Sequence, residues 1–220
     1  MFELKQLIEH SEKSFINSNN NISKLNIDIL NLEGMSGKKT RHLYNNICNL
    51  DNINYLEIGT YKGSSFISSI FQNNINPLAI DNWSEFDGTK EEFINNVNKL
   101  CLNQTYNFLE KDSFLISENE IKKYIKTIDV YLYDGCHKYE SHVNAITHYQ
   151  NLFSKYFIMI VDDWRDDGNW ERVQRGTYDG FSKSKLKIHK KIEIITHQES
   201  TGPDEYWNGF GLFVCENLNR

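Results

Sequence analysis

Tyr55-Leu56-Glu57-Ile58-Gly59-Thr60-Tyr61-Lys62-Gly63-Ser64-Ser65 is the stretch whose reading decides the fold. A short apolar run ends at a glycine, a second glycine follows four residues later, and small polar residues then open an amphipathic segment. That order predicts a strand, a tight turn and a helix. Glycine at both turn positions lets the backbone approach a ligand closely, and the start of the next helix offers free N–H groups. The dinucleotide pattern G-x-G-x-x-G is excluded, because Tyr61 stands where its middle glycine would be. A phosphate P-loop is excluded as well, since no Gly-Lys-Ser/Thr follows.

Outward from this turn, short apolar runs alternate with amphipathic segments, the signature of a parallel sheet flanked by helices. The runs are Tyr55 to Ile58, Pro77 to Ile80, Tyr106 to Leu109, Val130 to Tyr133 and Phe157 to Val161. Between and after them, helices are predicted over Ser64 to Gln72, Glu91 to Cys101, Glu118 to Ile125, Glu140 to Phe153 and about Trp170 to Phe181. Two last strands, Ile188 to Thr196 and Gly209 to Cys215, are predicted as an antiparallel pair at one edge. Upstream, Phe2, Leu4, Leu7, Ile8 and Phe15 mark a first helix, Asn17 to Asn21 a connection, and Lys38 to Cys48 a second helix opened by Gly34-Met35-Ser36-Gly37. The expectation is one α/β domain over residues 1–220, with a helical cap over 1–50 and a Rossmann-like core over 51–220. The core has a mostly parallel sheet of seven strands, helices on both faces and an antiparallel last strand.

Acidic residues recur at or just beyond the strand ends: Glu57, Asp81, Asp112, Asp134, then Asp162 with Asp163. A lone aspartate there is explained equally well as the cap of the following helix. Recurrence beside a glycine turn points instead to the ligand-binding crevice outside the carboxyl ends of an open sheet. Asp81 falls where an acid accepts hydrogen bonds from ribose hydroxyls, a task suited to a group that offers only acceptors. Trp83, after Asn82, is either a cover for a nucleoside or an ordinary core aromatic. Asp134 and the pair Asp162 and Asp163 end neighbouring strands, and hard oxygen donors so placed suit Mg²⁺, Mn²⁺ or Ca²⁺. His137, three residues beyond Asp134, titrates near neutrality and is a candidate general base. A zinc site from His137 and His142 is disfavoured because their spacing of five puts them on different helical faces.

The first turn resembles motif I of the class I S-adenosylmethionine-dependent methyltransferases, E/D-x-G-x-x-x-G. Together with Asp81-Asn82-Trp83, Asp134-Gly135-Cys136-His137 and Val161-Asp162-Asp163-Trp164, it resembles the metal-dependent O-methyltransferases of the catechol and macrocin or mycinamicin types. The resemblance implies S-adenosyl-L-methionine as cosubstrate. It would be bound by Glu57, Gly59, Thr60, Gly63, Ser64 and Ser65, by Asp81, Asn82 and Trp83, by Asp112 and Ser113 at the adenine, and by Asp134. It further implies Mg²⁺ or another divalent cation on Asp134, Asp162 and Asp163, with His137 and Asp134 serving catalysis. The implied acceptor is a small hydroxylated molecule, and aromatic and amide groups at Trp164, Trp170, Tyr206, Trp207 and Asn208 suit a sugar or glycosylated compound, and a phenol almost as well. Two other readings compete: the same fold with other chemistry, as in cephalosporin-hydroxylase-like relatives, and a noncatalytic nucleotide-binding protein.

Composition narrows the partners. Thirty acids against 24 Lys and Arg give a net charge of −6, which argues against a nucleic-acid-binding face. No apolar run approaches the roughly 20 residues of a membrane span. Met1 to Ser14 lacks the pattern of a secretory signal, so a cytoplasmic address is expected. Cys48, Cys101, Cys136 and Cys215 are too scattered for a disulfide framework or zinc site. Lys38, Lys39 and Arg41 are expected as a solvated helix face; folded over the crevice, they would instead favour a phosphorylated or acidic acceptor. The apolar face of the first helix must be covered by its own domain or by a second copy of the chain.

Overall fold

The computed structural model describes residues 2–86, 89–102, 104–165, 171–196 and 202–220. Three helices come first, α1 (Leu4–Asn19), α2 (Ile27–Leu30) and α3 (Lys38–Ile47). The alternating core follows as β1 (Asn54–Ile58), α4 (Ser64–Ile70), β2 (Asn76–Asp81), α5 (Lys90–Leu100), β3 (Asn107–Glu110) and α6 (Glu118–Ile121). It continues through β4 (Ile128–Tyr133), α7 (Tyr139–Thr147), β5 (Phe153–Asp162), α8 (Glu171–Ser182), β6 (Leu186–Ile194) and β7 (Phe210–Asn217).

The seven strands lie in the order β3-β2-β1-β4-β5-β7-β6. β1 pairs in parallel with both β2 and β4, so successive strands spread to opposite sides of it and leave a crevice where the order reverses. β7 slots antiparallel between β5 and β6, which makes it the reversed strand of the sheet. This is the predicted Rossmann-like architecture, with its antiparallel last strand.

Alternation along the strands sorts the core into two layers. Tyr55, Ala79, Val130, Leu132, Ile158 and Ile160 face Leu7, Leu43, Phe66 and Phe93 of α1, α3, α4 and α5. Leu56, Leu78, Ile80, Tyr131, Tyr133 and Met159 face Ile121, Ile146, Val173 and Phe181 of α6, α7 and α8. The apolar face of α1 is thus packed on the sheet of its own chain, in one cluster with Leu212 and Val214 of β7.

Several boundaries differ from the sequence reading. α1 runs on through Asn19 and absorbs much of the asparagine patch. α7 stops at Thr147, and β5 begins at Phe153, where it pairs with Ile128. The apolar residues expected to extend that helix are spent on the turn instead: the Tyr149 hydroxyl donates to Ser113 O at 2.6 Å, and His148 Nε2 meets Ile116 O at 2.9 Å. Likewise α6 ends at Ile121, closed early after a capping box between Ser117 and Glu120. Arg41 is buried, and so is not part of a solvated face. His142 packs at 5.0 Å against Tyr133 in the core. The four cysteines are free, with Cys136 alone exposed. Trp170 and the rest of 166–170 lie outside the described residues. Among the described residues no helix is long and apolar enough to cross a membrane.

Candidate active site

A cleft of about 710 Å³ opens across the carboxyl ends of β1 to β5, within the usual range for small-molecule sites. One half is lined by Gly59, Tyr61, Asp81, Asn82, Trp83 and Asp112. The other is lined by Asp134, His137, Asp162, Asp163 and Asn208, with Met35 and Phe86 at the mouth.

The glycine turn is shaped by the strands it joins. Gly59 has φ +81°, and its N–H donates to Ile80 O at 2.9 Å. A Cβ there would lie 2.0 Å from Asp134 O, so only glycine lets the turn press against the end of β4. Asp81 straps the turn from the next strand. Its Oδ2 accepts from the N–H groups of Thr60 and Tyr61 at 2.7 and 3.0 Å, and its Oδ1 from Trp83 N–H at 2.8 Å. Trp83 is nearly buried, donating through Nε1 to Tyr61 O at 3.0 Å and packing on Phe93 and Phe108. It is both core aromatic and cleft wall. Asn82 accepts from Ser84, and Asp112 Oδ1 accepts from Phe114 N–H at 2.9 Å, which leaves each side chain on the cleft rim.

The other motif I residues lie behind the turn. Gly63 abuts Phe93, the Thr60 hydroxyl is buried without a hydrogen-bond partner among the described residues, and Ser64 Oγ lies 3.0 Å from Ser36 Oγ. Ser113 contributes its carbonyl to Tyr149 while bordering the cleft. Glu57 is wholly buried beneath the turn, where its carboxyl accepts from Ser65 Oγ at 2.6 Å and from the Tyr55 hydroxyl. Burial pushes the Glu57 pKa up from 4.5 to about 8, and the two hydroxyls only partly oppose this. Between those values the folded protein holds a proton that the unfolded chain has lost. The stabilising contribution is therefore complete below about pH 4.5 and is lost as pH rises through about 8. Glu57→Gln cannot ionise, so its melting temperature is expected to fall less than the wild type's between about pH 5 and 8. Parallel melting curves across that range would show that Glu57 is already ionised in the fold.

The second half is a cluster of carboxylates. Burial and the charge of the neighbouring aspartates push both Asp134 and Asp162 well above the usual carboxylate range. Asp163, at φ +57°, turns its side chain towards the loops. Its Oδ2 lies 2.7 Å from His137 Nε2, and its Oδ1 accepts from Asn208 Nδ2 at 2.6 Å. Asp162 points inward instead, accepting from Asp163 N–H at 3.0 Å, with the buried Tyr44 hydroxyl of α3 beside it.

Donor atoms of Asp134, His137 and Asp163 lie within 4.8 Å of one another. Two of the three residues expected to hold a cation, Asp134 and Asp163, thus lie together with His137, while Asp162 is outside that group. Two carboxylate oxygens and an imidazole nitrogen, crowded by a third buried acid, fit a divalent cation of Mn²⁺ or Fe²⁺ character better than Ca²⁺. Tyr44, Ser36 and Met35 come from the helical cap and escape a search confined to strand ends. Their one signal is the Gly34-Met35-Ser36-Gly37 turn.

Residues 56–164 match the family model described as a methyltransferase domain. No curated protein shows detectable sequence similarity to the chain. Among solved structures, the O-methyltransferase from Bacillus cereus, solved with S-adenosylhomocysteine, superposes with a TM-score of 0.62. The match has 14% identity and covers 94% of this chain and 99% of that one. A Klebsiella pneumoniae protein assigned as an O-methyltransferase gives 0.60 at 14% identity over 94% of this chain and 89% of that one. A Streptococcus mutans protein assigned as a SAM-dependent methyltransferase gives 0.57 at 10% identity, over 81% of this chain. The chain spans about half of that last relative, 48% of its length. These likenesses show a shared fold.

Proposed function

Because the chain carries a methyltransferase domain across residues 56–164, we propose that it moves the methyl group of S-adenosylmethionine to a hydroxyl of a small molecule, a sugar or glycosylated compound, with a divalent cation beside the acceptor. The observation that carries this reading is the division of one cleft. Gly59, Asp81 and Asp112 border one half, and Asp134, His137 and Asp163 converge in the half next to it.

Methyl transfer to oxygen is an in-line displacement. The C–S bond of the sulfonium breaks as the O–C bond forms, leaving S-adenosylhomocysteine, a methyl ether and a released proton. Holding the two partners in line is worth several kcal/mol. Asp81 fixes the glycine turn through the N–H groups of Thr60 and Tyr61 and so holds the cosubstrate's side of that line. Asp134, at the close approach of Gly59, borders both halves. Asp134, His137 and Asp163 would hold the cation, which supplies positive charge that lowers the pKa of an acceptor hydroxyl.

The 2.7 Å contact between His137 and Asp163 supports a second reading without a cation. In that reading Asp163 orients the imidazole, which would serve as the general base. The test is transfer of a labelled methyl group from S-adenosylmethionine to a panel of sugars, glycosides and phenols, with Mn²⁺ or with a chelator. The leading reading expects a labelled ether that forms with Mn²⁺ and vanishes with the chelator. Full activity under chelation would favour His137 as base, and label appearing on nitrogen or sulfur would overturn both.

A further inference from the structure

Among the described residues, three Lys and Arg side chains line the main cleft: Lys111, Lys138 and Arg172. Lys111 pairs with Glu120 at 2.8 Å. Lys138 and Arg172 are exposed, and among the described residues neither head group meets a carboxylate or a hydrogen-bond partner. The cations of the cap do not reach this cleft. Lys38 and Lys39 pair with Asp204 and Glu205 at 2.7 and 2.6 Å, and Arg41 is buried against backbone carbonyls.

The fold brings the two unpaired cations to one end of the cleft. Helices α7 and α8 run side by side in the same direction: Gly176 fits against Tyr139 and His142, and Gly180 against Val143 and Ile146. That register carries Arg172, one turn before Gly176, to the level of residues 135–138, the loop that opens α7. Burial, and then the charges of His137 and Arg172, push the His142 pKa down from 6.5 to about 3, so both cationic groups surround one buried imidazole. Lys138 follows His137 directly. The two cations therefore flank the place where Asp134, His137 and Asp163 converge, without pairing with its acids. Asp163 gives its oxygens to His137 and Asn208, and Asp162 faces inward beside Tyr44.

A neutral sugar would leave both cations in water, whereas an anionic substituent would meet them together. The guanidinium offers a planar fork and the ammonium a point charge, and both suit phosphoryl oxygens. Two positive charges match a phosphate monoester, which carries a charge of about −1.5 to −2 at pH 7. The first turn of α7 adds to this. Lys138 at its N-cap makes no side-chain cap, and Lys138 and Ser141 both line the cleft, so the N–H end of the helix faces the same space.

We propose that Lys138 and Arg172 form a phosphoryl-binding rim beside the acceptor site, and that the acceptor is a sugar phosphate. This rests on the methyltransferase reading: the reacting hydroxyl lies at Asp134, His137 and Asp163, and the phosphoryl group orients the sugar without taking part in the transfer. His137 and Lys138 are consecutive, with Cα atoms about 3.8 Å apart, so a single sugar ring reaches from the reacting oxygen to the rim. Lys138 and Arg172 are then specificity-determining residues.

Calorimetry of the full chain with Mn²⁺, with and without S-adenosylhomocysteine, tests this against a panel of hexose phosphates, their parent hexoses and glucuronate. At least one hexose phosphate should bind the wild type at least about 10-fold more tightly than its parent hexose, and the preference should shrink as NaCl is raised. In the double variant Lys138→Gln, Arg172→Gln the preference should fall to near one while S-adenosylhomocysteine affinity stays within about threefold. No preference for any hexose phosphate would overturn the rim, as would a preference that survives in the double variant, the result expected of a phosphate held by Mn²⁺ alone. A stronger preference for glucuronate, lost in the double variant, would overturn the phosphoryl assignment. If S-adenosylhomocysteine does not bind while the phosphate preference and its loss both hold, the rim stands and the methyltransferase reading falls. Both side chains are exposed, so the double variant is expected to fold, and each single variant serves where it does not.

Discussion

Replacing Asp163 by alanine is expected to weaken Mn²⁺ binding by at least about 100-fold, or roughly 2.7 kcal/mol, while S-adenosylhomocysteine affinity stays within about threefold. Asp163 is the hub of the acidic half. It meets His137 through one oxygen and Asn208 through the other, and its own N–H is spent on Asp162. Its removal deletes one of two carboxylate donors and frees the imidazole that it orients, so both a donor and the geometry of another are lost. Among the described residues, those bordering the other half, Gly59, Asp81 and Asp112, make no hydrogen bond to Asp163. Titration calorimetry of each ligand on the variant checks this, and Mn²⁺ binding equal to the wild type's would remove Asp163 from the cation centre.

The converse substitution, Asp81→Ala, is expected to cost at least about 100-fold in S-adenosylhomocysteine affinity and to leave Mn²⁺ binding unchanged. Two backbone N–H groups of the glycine turn and that of Trp83 end on this carboxylate, and hydrogen bonds to a charged acceptor are worth about 1.5–3 kcal/mol each. Alanine leaves Thr60 and Tyr61 untethered where the turn must meet its ligand. Asp81→Asn retains one acceptor oxygen and should fall between the two. Equal losses of both ligands in Asp81→Ala would mean that the cleft does not divide as described.

Much of this arrangement is legible in the sequence because it is local. Strand ends are marked by apolar runs, and each acid at a strand end is carried to the same edge by the parallel direction of β1 to β5. What escaped depends on side-chain direction and on distant packing. Successive residues of a regular strand point to opposite sides, but a break in the backbone just past a strand end decides anew where each of two adjacent acids points. The positive φ of Asp163 makes such a break, sending Asp162 towards Tyr44 and Asp163 towards His137. Glu57 illustrates the same limit. Its place in motif I is plain, but only the fold shows that its carboxyl is taken up by Tyr55 and Ser65 below the turn. Arg41, in a lysine-rich helix start, has the composition of a solvated face, and the carbonyls that bury it come from residues far outside the helical repeat.

Whether the cleft takes a nucleoside cosubstrate is tested most directly by thermal unfolding with S-adenosylhomocysteine. At about 100 times its dissociation constant, a ligand confined to the folded state adds about 2.7 kcal/mol, which for a chain of this size raises the melting temperature by about 5–11 °C. That rise is the predicted result, with a smaller further rise on adding Mn²⁺. An unchanged melting temperature at millimolar S-adenosylhomocysteine, with or without the metal, would contradict it.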